Sequence, residues 1–75
     1  MLAQYYVLPA GDQWKIHHAG KGWLFATQQE AMKVAVDTAR EAGSLGHEAQ
    51  VLIRGEDGQW RVEWTYGEDP DPPEV

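Results

Sequence analysis

The feature that most constrains this chain is a strict alternation of large apolar and charged residues at positions 60–64, where the sequence reads WRVEW. Neighbouring side chains in a β-strand point to opposite faces, so the apolar residues are predicted to share one face, which the core covers. These residues are Trp60, Val62 and Trp64. An apolar run at 51–53 and the turn-forming sequence GEDG at 55–58 come just before this strand. The C-terminal third is therefore predicted to be a β-hairpin with one buried face.

The N-terminal part of the chain predicts another hairpin. Residues 4–9 are rich in aromatic and β-branched side chains, and the sequence PAGD at 9–12 is typical of a turn. Alternation resumes at residues 14–18, which read WKIHH. Trp14 and Ile16 are therefore predicted to face the core, and the side chains between them to face outward.

One helix is predicted between the hairpins. The sequence TQQE at 27–30 matches a capping box, in which the Thr27 hydroxyl accepts a hydrogen bond from the Glu30 amide and the Glu30 side chain bonds back. Gly43 is predicted to end the helix as a left-handed C-cap, so the expected helix spans residues 28–42. The residues predicted to face the sheet are Ala31, Val34, Ala35, Thr38, Ala39 and Ala42.

Together these elements predict an α+β fold, an antiparallel sheet of four to five strands in the order ββ(β)αββ with one helix packed on one face. The optional strand is residues 23–25. Residues 1–67 are expected to form a single domain, and residues 68–75 an acidic, proline-rich flexible tail. Whether Tyr5 or Tyr6 faces the core is left open, because a one-residue shift of register exchanges them.

Charge and cysteine content limit the class of protein. The chain has 6 basic and 12 acidic residues, a net charge of −6, and no cysteine. Four of the acids fall in residues 68–75, so residues 1–66 hold 6 cations and 8 anions and are close to neutral. The N-terminus lacks the features of a secretory signal, and no apolar run approaches a membrane-spanning length. We expect a cytoplasmic protein that does not associate with membranes.

The sequence contains no recognisable catalytic or cofactor site. His17 and His18 are adjacent, so on a strand they point to opposite faces and do not chelate one ion together with His47. Thr27 is explained as a helix cap rather than as a nucleophile. The acids are expected in turns, on the helix surface and in the tail rather than in an apolar pocket. We therefore expect no enzymatic activity, no cofactor, no metal site and no small-molecule site.

The sheet face opposite the helix is predicted to collect cations and one tyrosine. The candidate binding residues there are Tyr6, Lys15, His17, Arg54 and Arg61. Open sheets that bind single-stranded nucleic acid combine aromatic platforms with cations in this way. The alternative is an ordinary solvated face, on which Glu63 pairs with Arg54 or Lys15. The net charge of −6 disfavours nucleic acid, which therefore stays the second hypothesis.

The aromatic side chains provide the leading functional hypothesis. One helix of about fifteen residues cannot cover all the tryptophans on a sheet of four or more strands. The candidate interaction aromatics are Trp23, Trp60 and Trp64. We therefore expect a non-enzymatic interaction module that binds a protein partner, most readily a second copy of itself, through a strand edge or an aromatic surface.

The order of these motifs resembles DUF2188, a family of small bacterial proteins with a domain of unknown function. The motifs that carry the resemblance are YVLP at 6–9, WKI at 14–16, TQQEA at 27–31, VLIRG at 51–55, DG at 57–58 and WTYGEDP at 64–70. The chain departs from the family pattern at residues 18–23. It has an extra glycine and Trp23 there, whereas the family pattern is more polar in this region. The resemblance implies a ββαββ-like α+β fold and no particular activity.

Overall fold

The computed structural model describes residues 2–55 and 57–68, which form one five-stranded sheet and one helix. In chain order the elements are β1 (Leu2–Ala10), β2 (Gln13–His18), β3 (Lys21–Phe25), α1 (Gln28–Ser44), β4 (Glu48–Arg54) and β5 (Trp60–Thr65). The order of the strands across the sheet is β3-β2-β1-β4-β5, and α1 packs on one face. The predicted α+β class and the element order ββ(β)αββ are confirmed, with the optional third strand present.

The sheet is mixed rather than purely antiparallel. β1 pairs antiparallel with β2 but parallel with β4, with Tyr5 opposite Val51. The prediction of an antiparallel sheet is therefore wrong at this central pair. Alternation within a strand shows which side chains share a face, but it carries no information about the direction of the neighbouring strand.

The core lies between α1 and the two central strands. The buried residues of the sheet are Tyr5, Val7, Ile16, Ala49, Val51, Ile53 and Trp64. The sequence left open whether Tyr5 or Tyr6 faces the core. Tyr5 does, since it is buried and Tyr6 lies on the opposite face of the sheet.

The helix presents a mostly alanine stripe to this core. Ala31, Ala35 and Ala39 are fully buried, and Val36 completes the set. Val34 is 40% exposed and Thr38 is also exposed, so the predicted stripe was rotated slightly from the real one. A stripe of small side chains keeps the helix close to the sheet but contributes little apolar area of its own.

The predicted helix start is confirmed, whereas the predicted end is not. Thr27 has extended backbone geometry, and its Oγ1 accepts a hydrogen bond from the Glu30 amide at 3.2 Å. At the other end α1 continues through Gly43 to Ser44, and the left-handed glycine after the helix is Gly46, with φ of 96°. Gly43 lies inside the helix, and the ring of Tyr66 packs in the space that its Cβ would occupy.

The predicted domain and tail fall partly outside this description. The fold accounts for residues 2–55 and 57–67 of the predicted domain. Of the predicted tail, residues 69–75 lie outside the described residues, and Glu68 is the last residue described.

Candidate functional site

One face of the sheet is not covered by α1, and we refer to it as the outer face. Strand register fixes its membership, because residues directly opposite one another in a sheet point to the same side. Tyr6, for example, pairs with His17 on one side and Leu52 on the other. The residues of the outer face include Gln4, Tyr6, Leu8, Lys15, His17, Leu24, Glu48, Gln50, Leu52, Arg54, Trp60, Val62 and Thr65.

A β-bulge in β5 determines which tryptophan reaches the outer face. Val51 pairs with Trp64, but the next residue of β4 pairs with Val62, so Glu63 is an extra residue in β5. Trp64 therefore points into the core and is 4% exposed, whereas Val62 and Trp60 point outward and are 51% and 42% exposed. The prediction that the three apolar residues share one face is wrong, because the extra residue reverses the alternation within the strand.

The bulge also changes the set of candidate binding residues. Arg61 pairs with Ile53, which is buried on the helix side, so Arg61 belongs to that face and not to the outer face. Trp64 is part of the core and has little surface to offer a partner. The sequence gives no warning of this, since neither Glu63 nor its neighbours are glycines of the kind that often mark bulges. The other candidates, Tyr6, Lys15, His17, Arg54 and Trp60, do lie on the outer face.

Tyr6 and Trp60 form an aromatic pair on the outer face. Their ring centroids are 5.2 Å apart and their planes meet at 80°, an edge-to-face arrangement. The Tyr6 hydroxyl donates to Oε1 of Gln4 at 2.8 Å, and Nε2 of Gln4 donates to Oε1 of Gln50 at 3.3 Å. These bonds hold the tyrosine ring in position. The sequence did not indicate this pair, because it assigned Trp60 to the opposite face.

Two cations of the outer face lie toward opposite edges of the sheet. The side chain of Lys15 lies across Gly22, which has no Cβ to exclude it, and the guanidinium of Arg54 lies beside Gly58 in the β4–β5 turn. Glu48 pairs with Leu2 and so lies at the far end of the same face. The outer face therefore combines apolar and aromatic surface with a few cations.

The β3 edge, defined as Lys21–Phe25, is a second exposed feature of the sheet. Trp23 pairs with Ile16 and so lies on the helix side, where it is 47% exposed. Leu24 pairs with Lys15 on the outer face and is 59% exposed. The β3 edge thus presents large apolar side chains on both faces together with the backbone groups that point away from β2.

An open groove of about 400 Å³ lies at the start of β1, near the end of α1, and includes His18 and His47 in its lining. The ring of Tyr5 stacks on that of His18, with centroids 4.1 Å apart and an angle of 16°, and Nδ1 of His18 lies 3.0 Å from the Gln4 carbonyl oxygen. Burial, and to a smaller extent the charge of Glu41, raises the pKa of Tyr5. Tyr5 is only 6% exposed, so the stack is largely buried beside the groove. No sequence pattern indicated this stack.

Among residues 2–55 and 57–68, histidines and acids do not gather into a group of three that could hold a metal ion. Within the same part of the chain, no helix is long and apolar enough to cross a membrane. His17 and His18 lie on opposite faces of β2, as predicted, because one pairs with Tyr6 and the other stacks on Tyr5.

Comparison with known proteins yields a family. No curated protein and no solved structure matches the chain. A family model described as "Uncharacterized protein conserved in bacteria (DUF2188)" matches residues 5–66. The match begins within β1 and ends after β5, so it covers almost all of the fold and confirms the resemblance found in the sequence. The chain therefore belongs to the DUF2188 family of uncharacterised bacterial proteins.

Proposed function

We propose that this protein is a small, non-enzymatic interaction module that self-associates through the part of its sheet that α1 leaves uncovered. The observation that carries the proposal is the position of its exposed apolar side chains. Trp23, Leu24, Trp60 and Val62 are between 42% and 59% exposed, and all four lie on the two edge strands. Two of them lie at each edge of the sheet, Trp23 and Leu24 on β3 and Trp60 and Val62 on β5, and exposed apolar side chains on an edge strand favour pairing with another chain.

The energetics favour burial of these side chains against a partner. Full burial of one large apolar side chain contributes about 1.5–3 kcal/mol. The core of this domain is small, because the helix contributes mainly alanine to it. A chain of only 75 residues has a small free energy of unfolding. Association would increase the apolar surface that it buries.

Sedimentation equilibrium of the full chain tests this proposal. The monomer mass is 8.4 kDa, and we expect the weight-average mass to rise toward twice that value as concentration increases. Apolar contacts are little affected by screening, so the association should persist at high salt. A mass of 8.4 kDa at every concentration would contradict the proposal.

A matched pair of leucine variants makes the test specific. Leu24→Ser removes an exposed side chain from the sheet, whereas Leu45→Ser removes one that is 73% exposed just beyond α1. We expect Leu24→Ser to weaken association about tenfold, which corresponds to about 1.4 kcal/mol. Leu45→Ser should leave association unchanged. Equal effects of the two substitutions would indicate that general surface hydrophobicity, and not the sheet, drives association.

A second candidate function is weak binding of single-stranded nucleic acid on the outer face. The observation that favours it is the Tyr6–Trp60 pair, with Arg54 directly opposite Trp60 in the strand register. Exposed rings can stack on bases, while Lys15 and Arg54 can contact phosphates. The net charge of −6 opposes such binding, which is why we rank it second.

Titration with a mixed-sequence oligonucleotide at low salt tests this second candidate. Contacts from two cations to phosphates predict a log–log salt dependence with a slope of about −1.4. Trp60→Ala should reduce the affinity by about 5-fold to 150-fold, because stacking on one ring contributes about 1–3 kcal/mol. Val62→Ala, also on the outer face, serves as the matched control and should have little effect. Absence of binding at low salt would exclude this function.

A further inference from the structure

We propose that the β3 edge pairs with the β3 edge of a second copy, antiparallel and centred on Trp23. The two five-stranded sheets then continue as one across a two-fold axis. This inference rests on the proposed self-association and identifies the strand that forms the contact.

The two edge strands, β3 and β5, differ in how readily another strand can pair with them. On β5, the bulge at Glu63 interrupts the ladder and the charged side chain of Arg61 stands on the strand, and both features discourage another strand from adding. On β3 the pairing with β2 is regular from Trp14 opposite Phe25 to His18 opposite Lys21. The β3 edge has no proline, and its charged residue is at the first position. The edge that lacks protection is therefore the one with the exposed Trp23 and Leu24.

Centring the pair on Trp23 gives the register in which all five residues of β3 have a partner. Trp23 then lies opposite the same residue of the second copy, so the two indole rings meet on the helix side. Gly22 lies opposite Leu24 of the second copy, on the outer face. Shifting the register by two residues leaves two residues of each β3 unpaired, either Leu24 and Phe25 or Lys21 and Gly22.

The side chains suit this register. Gly22 has no side chain, and Cε and Nζ of Lys15 fill the space over it. Leu24 of the second copy therefore packs against the end of this flexible side chain and can displace it, and the symmetry repeats this contact. Lys21 lies opposite Phe25 of the second copy, which keeps the two lysine ammonium groups at opposite ends, roughly 13 Å apart along the strand. The two Lys21 residues therefore do not face each other in the pair.

The contact is small, which sets the expected affinity. Five residue pairs bury less area than the roughly 1,200 Å² at the lower end of stable interfaces. We therefore expect a dimer that exchanges with the monomer, and not a permanent assembly. Trapping the pair identifies the strand through which it forms.

Disulfide trapping provides the test, since the chain contains no cysteine of its own. Trp23→Cys places the thiols of the two copies directly opposite each other, within reach of a disulfide. Leu24→Cys is the matched control: residue 24 is more exposed than residue 23, but its two copies are offset by two residue pairs, beyond disulfide reach. Val62→Cys reports contact through the outer face. Each variant is checked for native folding by its amide spectrum before mild oxidation with oxidised glutathione.

We expect Trp23→Cys to form a covalent dimer at least tenfold faster than Leu24→Cys and Val62→Cys. Because Trp23→Cys also removes an aromatic ring, a mixture of Gly22→Cys with Leu24→Cys, which retains Trp23, should cross-link faster than either variant alone. Preferential cross-linking of Val62→Cys, in a protein whose wild-type mass is dimeric, would overturn the β3 pairing and leave the proposed self-association intact. A monomeric wild-type mass with equal background cross-linking in all variants would overturn both.

Discussion

The ring of Tyr66 packs directly on Gly43, in the space that a Cβ atom at position 43 would occupy. The amide of Tyr66 donates to the Ala49 carbonyl oxygen at 3.0 Å, and its ring lies 6.2 Å from that of Trp64 at an angle of 67°. The segment after β5 is thus fixed against the last turn of α1. The contact explains why a glycine stands inside a helix, where it is otherwise unfavourable.

Gly43→Ala should destabilise the protein although alanine is the better helix former. The intrinsic preference favours alanine by about 1 kcal/mol. The new methyl group, however, displaces the Tyr66 ring, and overpacking costs about 1–3 kcal/mol. We expect a net loss of about 1 kcal/mol in the free energy of unfolding, measured with urea.

The same substitution in a Tyr66→Ala background provides the control. Without the ring, only the helix preference of alanine remains, so Gly43→Ala should then stabilise the protein by about 0.5–1 kcal/mol. The effect should therefore change sign between the two backgrounds. The same sign in both would show that the ring contact does not determine the choice of glycine.

The bulge predicts unequal roles for Trp60 and Trp64. Trp64→Ala empties a core position and should cost about 3–5 kcal/mol, enough to unfold a small domain in part or completely. Trp60→Ala removes a ring that is 42% exposed and should cost about 1 kcal/mol or less. Thermal unfolding followed by circular dichroism distinguishes the two. Without the bulge, both tryptophans would lie on the same face of β5. The two substitutions would then be expected to lower the free energy of unfolding equally.

The β2–β3 turn contains a strained residue. Ala19 has φ of 51° and Gly20 has φ of 80°, and alanine is disfavoured in the left-handed region. Ala19→Asn should stabilise the protein by about 0.5–1 kcal/mol, because asparagine tolerates this geometry. Gly20→Ala should destabilise it by about 1 kcal/mol, although no atom crowds that position. Chemical unfolding measures both, and a loss on Ala19→Asn would contradict the assigned turn geometry.

Stability should fall at alkaline pH because of Tyr5. Its pKa is raised in the folded state by burial and, secondarily, by Glu41, so the folded protein holds this proton more tightly than the unfolded chain does. The resulting stability is present below the ordinary pKa of tyrosine, about 10, and is lost as pH rises past it. Tyr5→Phe should therefore show a shallower loss of unfolding free energy above pH 10 than the wild type. Parallel curves for the two proteins would contradict the shift.

Local sequence patterns predicted the elements correctly where neighbouring residues determine them. The Thr27–Glu30 cap, the first hairpin and the outward orientation of Lys15 and His17 follow from interactions within a few residues. These features depend on backbone hydrogen bonding and on the two-residue period of a strand, both of which can be read along the chain.

Features that depend on distant contacts could not be predicted in this way. The parallel pairing of β1 with β4 joins segments more than forty residues apart, as with Tyr5 and Val51. The bulge at Glu63 allows Trp64 to enter the core while Trp60 meets Tyr6 on the outer face. The parallel pairing and the bulge both depend on packing between strands. The alternation of residues within one strand does not encode such packing. Of the candidate outer-face residues, Lys15 and Arg54 consequently lie on that face, whereas Arg61 lies on the helix side.

A dilution series of amide NMR spectra on the isotopically labelled wild-type chain tests the central claim most directly. If the protein self-associates through the uncovered sheet, line widths should broaden toward those of a particle of twice 8.4 kDa as concentration rises. The accompanying shift changes should be largest at Lys21–Phe25 and small along α1. Spectra with monomer line widths and unchanged shifts from micromolar to millimolar concentration would contradict the account.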